Sequence, residues 1–277
     1  MTIAALVVTH QSQDWIGATL ESILNQTQPV DRVVLVDDGS TDRTRSIARE
    51  LLGARVQILP AQTQAPDAVT RIAANFRQGL RACWQDEAVI LGDHDDLWLP
   101  HRVDHQVRLL RAHQVDMVAG DGLLIDESGG ALPGTLRTVF PVPGSWMPGS
   151  AAERMRIALR CSIATGGASA LRPGPFTEEA IPQGWLHDRW WSLMATARER
   201  MLLDDSPVIA YRVSGSQQVG LDRGLQASGT VGRLRHAITE LPATRTRLAD
   251  LRNGLGPVAT HGTASQLRGL RLLRNLR

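Results

Sequence analysis

The sequence contains no lysine, so every one of its 30 basic residues is an arginine. A mechanism that forms a Schiff base on a lysine amine is therefore excluded, whereas the planar guanidinium of arginine is well suited to binding phosphate. The formal net charge is only +2. Because nucleic-acid binding rests on a strong excess of basic residues, we expect no nucleic-acid partner.

Cysteine is scarce, and long apolar runs are absent. Cys83 and Cys161 lack CxxC or Cys/His spacing, which argues against a disulfide framework or a zinc site and favours a reducing compartment. No window approaches the ~18 consecutive apolar residues of a membrane-spanning helix, and residues 1–10 lack the basic and apolar segments of a signal peptide. We therefore expect a cytoplasmic protein without a signal peptide or membrane span.

Strand-like and helix-like segments alternate through the first part of the chain. Short apolar runs mark strands at residues 3–9, 32–36, 55–59 and 88–91, and amphipathic stretches mark helices at residues 15–24, 43–52 and 68–84. This βαβαβαβ order predicts an α/β fold with a mostly parallel sheet flanked by helices. Ligands of such folds bind at the carboxyl ends of the strands.

The second part of the chain is predicted to complete the same domain. Helical patterns lie at residues 101–113, 151–159 and 185–197, and strand patterns lie at residues 115–119, 122–126, 162–171, near 201 and at 208–213. Residues 129–149 are rich in Pro and Gly and predict a long loop, more typical of a functional lid than of a linker. We expect one domain over residues 1–220 and a basic helical C-terminal extension over residues 221–277.

Polar groups follow three of the predicted strands. Thr9-His10-Gln11 follows the first strand, Asp37-Asp38 the second and Asp93-His94-Asp95-Asp96 the fourth. Because the carboxyl ends of parallel strands meet at one edge of a sheet, these groups are expected to converge.

The acidic group at residues 93–96 points to a metal. Three carboxylates within four residues repel one another unless a cation or strong donors compensate, and carboxylate oxygens are suited to Mg²⁺ or Mn²⁺. The competing interpretation is a solvated turn with Asp96 as a helix N-cap. The buried strand that precedes the group favours metal binding.

Asp38 and Asp188 each allow two interpretations. Residues 37–42 are typical of a turn that caps a helix, yet a carboxylate here can also accept hydrogen bonds from a pyrimidine N–H and from ribose hydroxyls. Asp188 is either a charge at a helix start or a catalytic carboxylate. Tryptophans near it suit either a hydrophobic core or stacking against a sugar. They are Trp185, Trp190 and Trp191.

Short motifs occur in a fixed order along the chain. They are Val7–His10, Glu21–Thr27, Val36–Asp42, Asn75-Phe76, Asp93–Pro100, His187–Trp191 and Tyr211–Ser216. In this order they resemble glycosyltransferase family 2, a group of inverting enzymes with the GT-A fold, and especially its rhamnosyltransferase-like branch. The resemblance covers residues 3–220, and the C-terminal extension lies outside it.

The resemblance implies a nucleoside-diphosphate sugar as donor, either dTDP-rhamnose or a UDP-sugar, with Mg²⁺ or Mn²⁺ on its diphosphate. It assigns five residues to the donor: Thr9, His10, Asp38, Asn75 and Asp93. It assigns the metal to Asp95, together with Asp93.

On the acceptor side, the resemblance assigns the general base to Asp188. Its neighbours His187, Trp185, Trp190 and Trp191 are candidates for contact with the acceptor by their position. The acceptor itself stays open: a growing polysaccharide, a lipid-linked glycan, a natural product or a protein. A catalytically inactive nucleotide-sugar-binding module of a glycan assembly complex is the competing function. A sugar-1-phosphate nucleotidyltransferase is disfavoured, because its Gly-rich phosphate loop and its lysine are missing.

The end of the chain is a separate basic segment. From Arg233 onward nine arginines stand against only Glu240 and Asp250, and residues 265–277 place their leucines on one face of a predicted helix. Such a helix can pack on the body, pair with another protein or with a second copy in a homodimer, or lie on the inner face of an anionic membrane. On a membrane each basic residue adds ~1 kcal/mol.

Overall fold

The computed structural model describes residues 2–139, 142, 151–160, 164, 166–178, 180–214, 250 and 253. The strands are β1 (Ile3–Thr9), β2 (Arg32–Asp37), β3 (Val56–Pro60), β4 (Ala88–Asp93), β5 (Leu97–Trp98), β6 (Met117–Ile125), β7 (Ala131–Thr135), β8 (Ser169–Leu171) and β9 (Met201–Arg212). The α-helices are α1 (Ile16–Leu24), α2 (Thr44–Leu52), α3 (Ala68–Ala82), α4 (Arg102–Ala112), α5 (Leu136–Val139), α6 (Ala151–Arg160), α7 (Pro175–Glu178) and α8 (His187–Ala197). Short 3-10 helices span Gly53–Arg55 and Gly166–Ala168.

Within the described residues, the strands form one mixed sheet in the order β3-β2-β1-β4-β8-β6-β9-β5, with β7 paired to β6. β1 runs parallel to β2 and β4, and β2 runs parallel to β3. β8 is antiparallel to both β4 and β6, whereas β9 is parallel to β6. The predicted α/β architecture is confirmed. Its parallel part is β1 to β4, and the second half of the sheet mixes both directions.

Burial on both faces explains the continuous apolar sequence of the first strands. All seven residues of β1 are buried, as expected for a central parallel strand covered by helices on both sides. Leu6 and Val8 belong to the core layer that contains α3 and α8. Ala5 and Val7 belong to the opposite layer, which contains α1 and α4.

Several predicted element boundaries differ from the structure. β6 and β9 are each one strand where the sequence predicted two. Their mutual register shifts between Ala119 and Gly122, so irregular pairing accommodates the glycine and proline residues that predicted breaks. The predicted loop at 129–149 contains β7 and α5, and within the predicted strand 162–171 the described strand residues are those of β8.

The short strand β5 is held by the last long strand of the sheet. Leu97 pairs with Ala210 and Trp98 with Ile209, both antiparallel. Among the described strands β9 is the partner of β5. The segment between β4 and β5, which carries the acidic group, is therefore fixed at its far end by β9.

In the described part of the chain, no helix is both long and apolar enough to cross a bilayer. The basic helix predicted at residues 265–277 lies outside the described residues. So does the rest of the predicted C-terminal extension, except for Asp250 and Asn253, which have helical backbone.

Candidate active site

The polar groups that follow β1, β2 and β4 meet at one edge of the sheet, as predicted. Thr9 lies opposite Asp37 in the β1–β2 register, and Asp93 lies opposite Val8 in the β1–β4 register. Asp38 continues this pattern, since its N–H donates to the Thr9 carbonyl over 2.8 Å. With neighbouring strands ~4.8 Å apart, the groups after β2 and β4 are separated by roughly 10 Å.

An open cavity of about 420 Å³ lies at the ends of β2 and β3. Asp38 and Gly39 line one side, and Ala61, Thr63–Pro66 and Arg71 line the rest. Arg71 Nε donates to Asp38 Oδ2 at 3.2 Å. The volume lies in the range of small-molecule sites, and a carboxylate beside a guanidinium can hydrogen-bond a heterocyclic base and its ribose.

The segment between β4 and β5 carries its carboxylates into the interior. Asp95 is 5% and Asp96 0% exposed, and Asp93 is half-buried at the end of β4. The N–H of Arg212 donates to Asp96 Oδ1 at 2.9 Å, and its Nε donates to the Asp95 carbonyl at 2.8 Å. The interpretation of Asp96 as a solvated N-cap is therefore wrong, and α4 begins only at Arg102.

Burial and neighbouring negative charges raise the pKa of two carboxyls in this cluster, Asp93 and Asp96. Burial, followed by the charges of Asp95 and Asp188, raises the pKa of Asp93 to about 7. Burial, followed by Asp95 and Asp93, raises the pKa of Asp96 well above its usual value. Because charge repulsion weakens with distance, Asp188 of α8 lies near the acidic segment. The structure thus brings together carboxylates from β4, its following segment and α8.

A buried arginine lies behind the carboxylates. Arg102 is 0% exposed, and its guanidinium carbon lies 4.1 Å from the centre of the Trp98 ring. Its Nη2 donates to the Leu91 carbonyl of β4 at 2.6 Å. Burial lowers the pKa of Arg102 to about 9, while the nearby Asp96 and Asp93 carboxylates act to raise it. A cation at this position offsets part of the cluster's negative charge.

The 3-10 helix Gly166–Ala168 covers the carboxylates. A Cβ on Gly167 would lie 2.6 Å from Asp96 Oδ2 and 2.8 Å from Asp93 Oδ2, so no side chain fits there. A backbone hydrogen bond from Gly167 to Asp93 acts to lower the pKa of that carboxyl. Asp96 Oδ2 has no hydrogen-bond partner among the described residues, which leaves a buried acceptor atom in the cluster.

The start of α8 presents Asp188 and buries His187. Asp188 is half-buried, and its Oδ1 accepts the Arg189 N–H at 2.6 Å, where the helix dipole stabilises a carboxylate. The His187 ring stacks on Phe76 with 3.7 Å between centroids, and burial lowers the pKa of His187 to about 3. His187 is therefore a neutral interior residue, with neither ring nitrogen paired among the described residues.

The three tryptophans near Asp188 lie in or beside the core. Trp190 and Trp191 are 1% and 0% exposed, so their rings pack inside the protein. Trp185 is 7% exposed and packs edge-on against Trp190 with 5.3 Å between ring centroids. Of the three rings, Trp185 is the most exposed. Its predicted contact with an acceptor therefore requires less rearrangement of the protein than a contact of Trp190 or Trp191.

Of the residues predicted to bind the donor, some are accessible at the edge of the sheet and others are buried beneath it. His10 is exposed, and its Nδ1 lies 2.7 Å from the Asp38 carbonyl. Thr9 is buried, with Oγ1 2.6 Å from Ser12 Oγ. Asn75 is 0% exposed on α3, and its amide atoms have no partner in the described part of the chain.

The carboxylate set suits a hard divalent cation. No group of three His, Cys, Asp or Glu side chains among the described residues forms a metal site by itself. Mg²⁺, however, is usually bound by one or two protein carboxylates together with water and substrate phosphates. Asp93 and Asp95 supply such a pair, and mutually repelling buried carboxylates gain from a nearby cation.

Comparison with known protein families identifies the family of the chain. The sequence model of glycosyl transferase family 2 matches residues 4–178, which contain β1 to β4, the cavity and the acidic segment. The chain belongs to glycosyl transferase family 2. The predicted family is thereby confirmed, while Asp188 lies beyond the matched residues and its role stays a prediction.

Other members and solved structures resemble this family 2 chain at low identity. The putative glycosyltransferase EpsE of Bacillus subtilis is 26% identical over 163 residues, covering 58% of this chain and 56% of that protein. The chain spans about half the length of the curated relatives it matches.

Solved structures support the GT-A fold predicted for this family 2 chain. S. aureus TarS 1–349 in complex with UDP-GlcNAc has a TM-score of 0.61 at 15% identity, covering 100% of this chain and 78% of that one. The mannosyltransferase PcManGT from Pyrobaculum calidifontis, in complex with GDP-Man and Mn²⁺, has a TM-score of 0.53 at 17% identity, covering 99% and 71%. At these identities the likeness shows the fold alone.

Four residues of this family 2 site were not predicted from the sequence. They are Arg71, Arg102, Gly167 and Arg212. Arg212 stands inside a recognised motif, and Gly167 belongs to a Gly-Gly pair before a strand, a usual sign of close backbone approach. Arg71 and Arg102 carry no such signal, because an arginine in a helical pattern is normally exposed.

Proposed function

We propose that this family 2 domain transfers a sugar from a nucleoside diphosphate to an acceptor hydroxyl with inversion of the anomeric carbon. One observation carries the proposal: the cavity at Asp38 and the acidic cluster, which adjoins Asp188, share one edge of the sheet. The reaction requires a nucleoside pocket, carboxylates for a divalent cation, and a base. We propose that the cavity, the acidic cluster and Asp188 supply these three parts.

On the donor side, Asp38 and Arg71 hold the nucleotide base and its ribose in the cavity. Both dTDP-rhamnose and a UDP-sugar carry a pyrimidine N–H that can donate a hydrogen bond to a carboxylate. We propose one of these two as donor. Asp93 and Asp95 would hold Mg²⁺ or Mn²⁺, and the ion would supply positive charge to neutralise the leaving diphosphate. The Mn²⁺ in the PcManGT complex supports a cation at a site of this fold.

On the acceptor side, Asp188 takes the proton from the attacking hydroxyl. Its place in the first turn of α8 stabilises the ionised carboxylate, which is the form that a base requires. A positioned base contributes ~10²- to 10⁴-fold to the rate. Attack from the side opposite the diphosphate inverts the anomeric carbon. The acceptor is a hydroxyl of a polysaccharide, a lipid-linked glycan, a natural product or a protein.

Thermal unfolding with UDP or dTDP, with and without Mn²⁺, tests the donor site. A ligand at 100 times its Kd stabilises the native state by ~2.7 kcal/mol, so the nucleotide and Mn²⁺ together are expected to raise the Tm. Asp95→Asn should abolish the part of the Tm increase that depends on Mn²⁺. Asp104→Asn is the control, because the Asp104 side chain lies on α4 with 41% exposure and its ion-pair partner there is Arg108. An equal Mn²⁺-dependent increase in Tm in both variants would contradict the assignment of Asp95 to the metal.

Hydrolysis of UDP-glucose and dTDP-rhamnose in the presence of Mn²⁺ tests turnover. Asp188→Asn is expected to keep nucleotide binding and to lower turnover by ~100-fold or more. Unchanged turnover would remove Asp188 as base. Mn²⁺-dependent binding without turnover of any donor in the wild-type protein would favour the catalytically inactive binding module.

A further inference from the structure

A residue from the C-terminal extension contacts the segment that begins α8. The indole Nε1–H of Trp185 donates to Asp250 Oδ2 at 3.1 Å. Asp250 lies 65 residues further along the chain, beyond the predicted end of the catalytic domain at residue 220. The contact therefore joins the extension to the body close to the candidate base.

Trp185 belongs to the turn that leads into α8. Its N–H donates to the Pro182 carbonyl at 3.2 Å, and its ring meets the ring of Trp190 at an interplanar angle of 66°. Asp188 follows only three positions later, in the first turn of the helix. A movement of the Trp185 ring would thus shift both the entrance to α8 and the carboxylate at its start.

The other side of the same turn is fixed by α3. The Gly184 N–H donates to Thr70 Oγ1 at 3.3 Å, and Gly184 has a φ of +79°, which favours glycine. Phe76 of α3 stacks on His187 next to the turn. Asp250 supplies a further contact to this turn, so the turn is bonded both by α3 and by a residue of the extension.

We propose that Asp250 is a positioning residue of the active site: it fixes the Trp185 indole and, through it, the start of α8 with Asp188. The role in catalysis rests on the function proposed above, whereas the contact itself does not. A buried indole N–H is stabilised by an acceptor, and the Asp250 carboxylate supplies one to Trp185. On this view, Asp250 completes the acceptor side of the domain.

Hydrogen–deuterium exchange of the full chain, followed by mass spectrometry, tests the contact. Loss of a hydrogen bond to a charged group should speed amide exchange in residues 182–190 by ~10-fold. We expect this in Asp250→Leu and in Trp185→Phe, which keeps an aromatic ring but removes the N–H. The double variant should exchange no faster than either single one. Asp250→Asn should behave like the wild type, since its amide oxygen still accepts the bond.

Asn253→Leu is the matched control, because Asn253 is exposed and lies three residues beyond Asp250. Equal exchange of residues 182–190 in Asp250→Leu and Asn253→Leu would overturn the proposal. Faster exchange in the double variant than in either single variant would also overturn it, because the two side chains would then act separately.

The catalytic role has its own readouts. With Mn²⁺ present, Asp250→Leu should bind UDP as tightly as the wild type in calorimetry, yet hydrolyse UDP-glucose ~10-fold more slowly, and Asp250→Asn should recover the rate. Faster exchange with an unchanged rate of hydrolysis would reject Asp250 as a positioning residue. If the wild type turns over neither UDP-glucose nor dTDP-rhamnose, the proposed function fails, and the exchange experiment still decides the contact.

Discussion

Gly167 shows how closely single residues surround the acidic cluster. Its backbone lies against two carboxylates, and the space where a Cβ would stand is already occupied by Asp93 and Asp96 oxygens. Asp96 is held in turn by the backbone N–H of Arg212. The positions of the carboxylates therefore depend on residues that are distant in sequence and carry no acidic side chain.

Gly167→Ala is expected to weaken Mn²⁺-dependent UDP binding by ~10-fold or more. The added methyl would stand 2.6 Å from Asp96 Oδ2, closer than van der Waals contact allows, so the acidic segment must shift. Calorimetry measures the change. Gly174→Ala is the control, because its nearest neighbours lie 3.9 Å away. Equal affinities in the two variants would show that the cluster tolerates the displacement.

His187 should make stability depend on pH. Its pKa is about 3 in the folded state and about 6.5 when unfolded, so between these values only the unfolded state binds the proton. The resulting stabilisation is present above pH 6.5 and falls as the pH is lowered towards 3. At pH 5 the loss is about 2 kcal/mol relative to pH 7.5.

Urea unfolding of wild type and His187→Leu at pH 7.5 and pH 5 measures this dependence. The variant lacks the titrating ring, and its stability should fall by about 2 kcal/mol less than that of the wild type over this interval. Parallel pH profiles would mean that His187 is solvated or protonated in the folded protein.

For single residues, the sequence predicts the polar side chains at strand ends better than it predicts the side chains buried beneath them. Asp38, Asp93 and Asp95 could be placed at one sheet edge, because turn residues after apolar runs mark strand ends. The burial of Trp190 and His187 could not be predicted, since an aromatic residue beside a carboxylate suits a core and a binding surface equally well.

Among the elements, α3 packs closely against the sheet at Gly79. A Cβ on Gly79 would overlap the Leu6 side chain and lie 2.9 Å from Val36 Cγ2. The absence of a side chain lets the helix settle directly on β1 and β2. Arg71, which reaches Asp38 in the cavity, and Phe76, which supports His187, are carried by the same helix.

Gly79→Ala should lower the free energy of unfolding by about 1–3 kcal/mol, because the added methyl overpacks the interface of α3 with β1 and β2. Gly17→Ala in α1 is the control. Its nearest neighbour would be Ile47 Cγ2 at 3.8 Å, so the helical preference of alanine should leave stability unchanged or raise it by up to ~1 kcal/mol. Denaturant unfolding compares the two, and equal effects would contradict the tight packing.

The elements of the first half could be predicted because each strand is an apolar run bounded by turn residues. In the second half of the chain, the local sequence disfavours strands at positions where pairing with a distant strand forms them. Pro207 and Gly120 predict breaks, yet the long pairing of β6 with β9 holds each as one strand. β7 contains Pro133 and Gly134, which disfavour a strand, and it forms at the sheet margin beside β6, where a missing N–H is tolerated.

At the scale of the whole molecule, the charge is unevenly distributed. The basic excess lies entirely in residues 233–277, where nine arginines stand against two acidic residues, and the rest of the chain has more acidic than basic residues. A basic amphipathic helix at residues 265–277 stays a prediction, as does its contact with an anionic membrane. A cytoplasmic enzyme acting on a lipid-linked acceptor would gain from such a contact, because it would hold the site near its substrate.

Removal of residues 267–277 is expected to weaken cosedimentation with anionic liposomes and to leave UDP-glucose hydrolysis unchanged. The deletion removes four arginines, and each arginine near an anionic surface contributes ~1 kcal/mol to the free energy of membrane binding. Neutral liposomes are the control, because they should bind the full chain and the shortened chain equally weakly. Sedimentation with anionic liposomes that does not change on deletion would end the membrane hypothesis.

The dependence of β5 on β9 has a consequence for synthesis on the ribosome. The acidic segment ends in a strand whose described partner is β9, and its Asp96 is bonded by the backbone of Arg212. A nascent chain can complete β1 to β4 early, but its acidic segment lacks its final support until residue 212 has emerged. An interrupted polypeptide that stops before β9 would therefore keep the strand ends that carry Asp38 and Asp93 without an ordered acidic segment between β4 and β5.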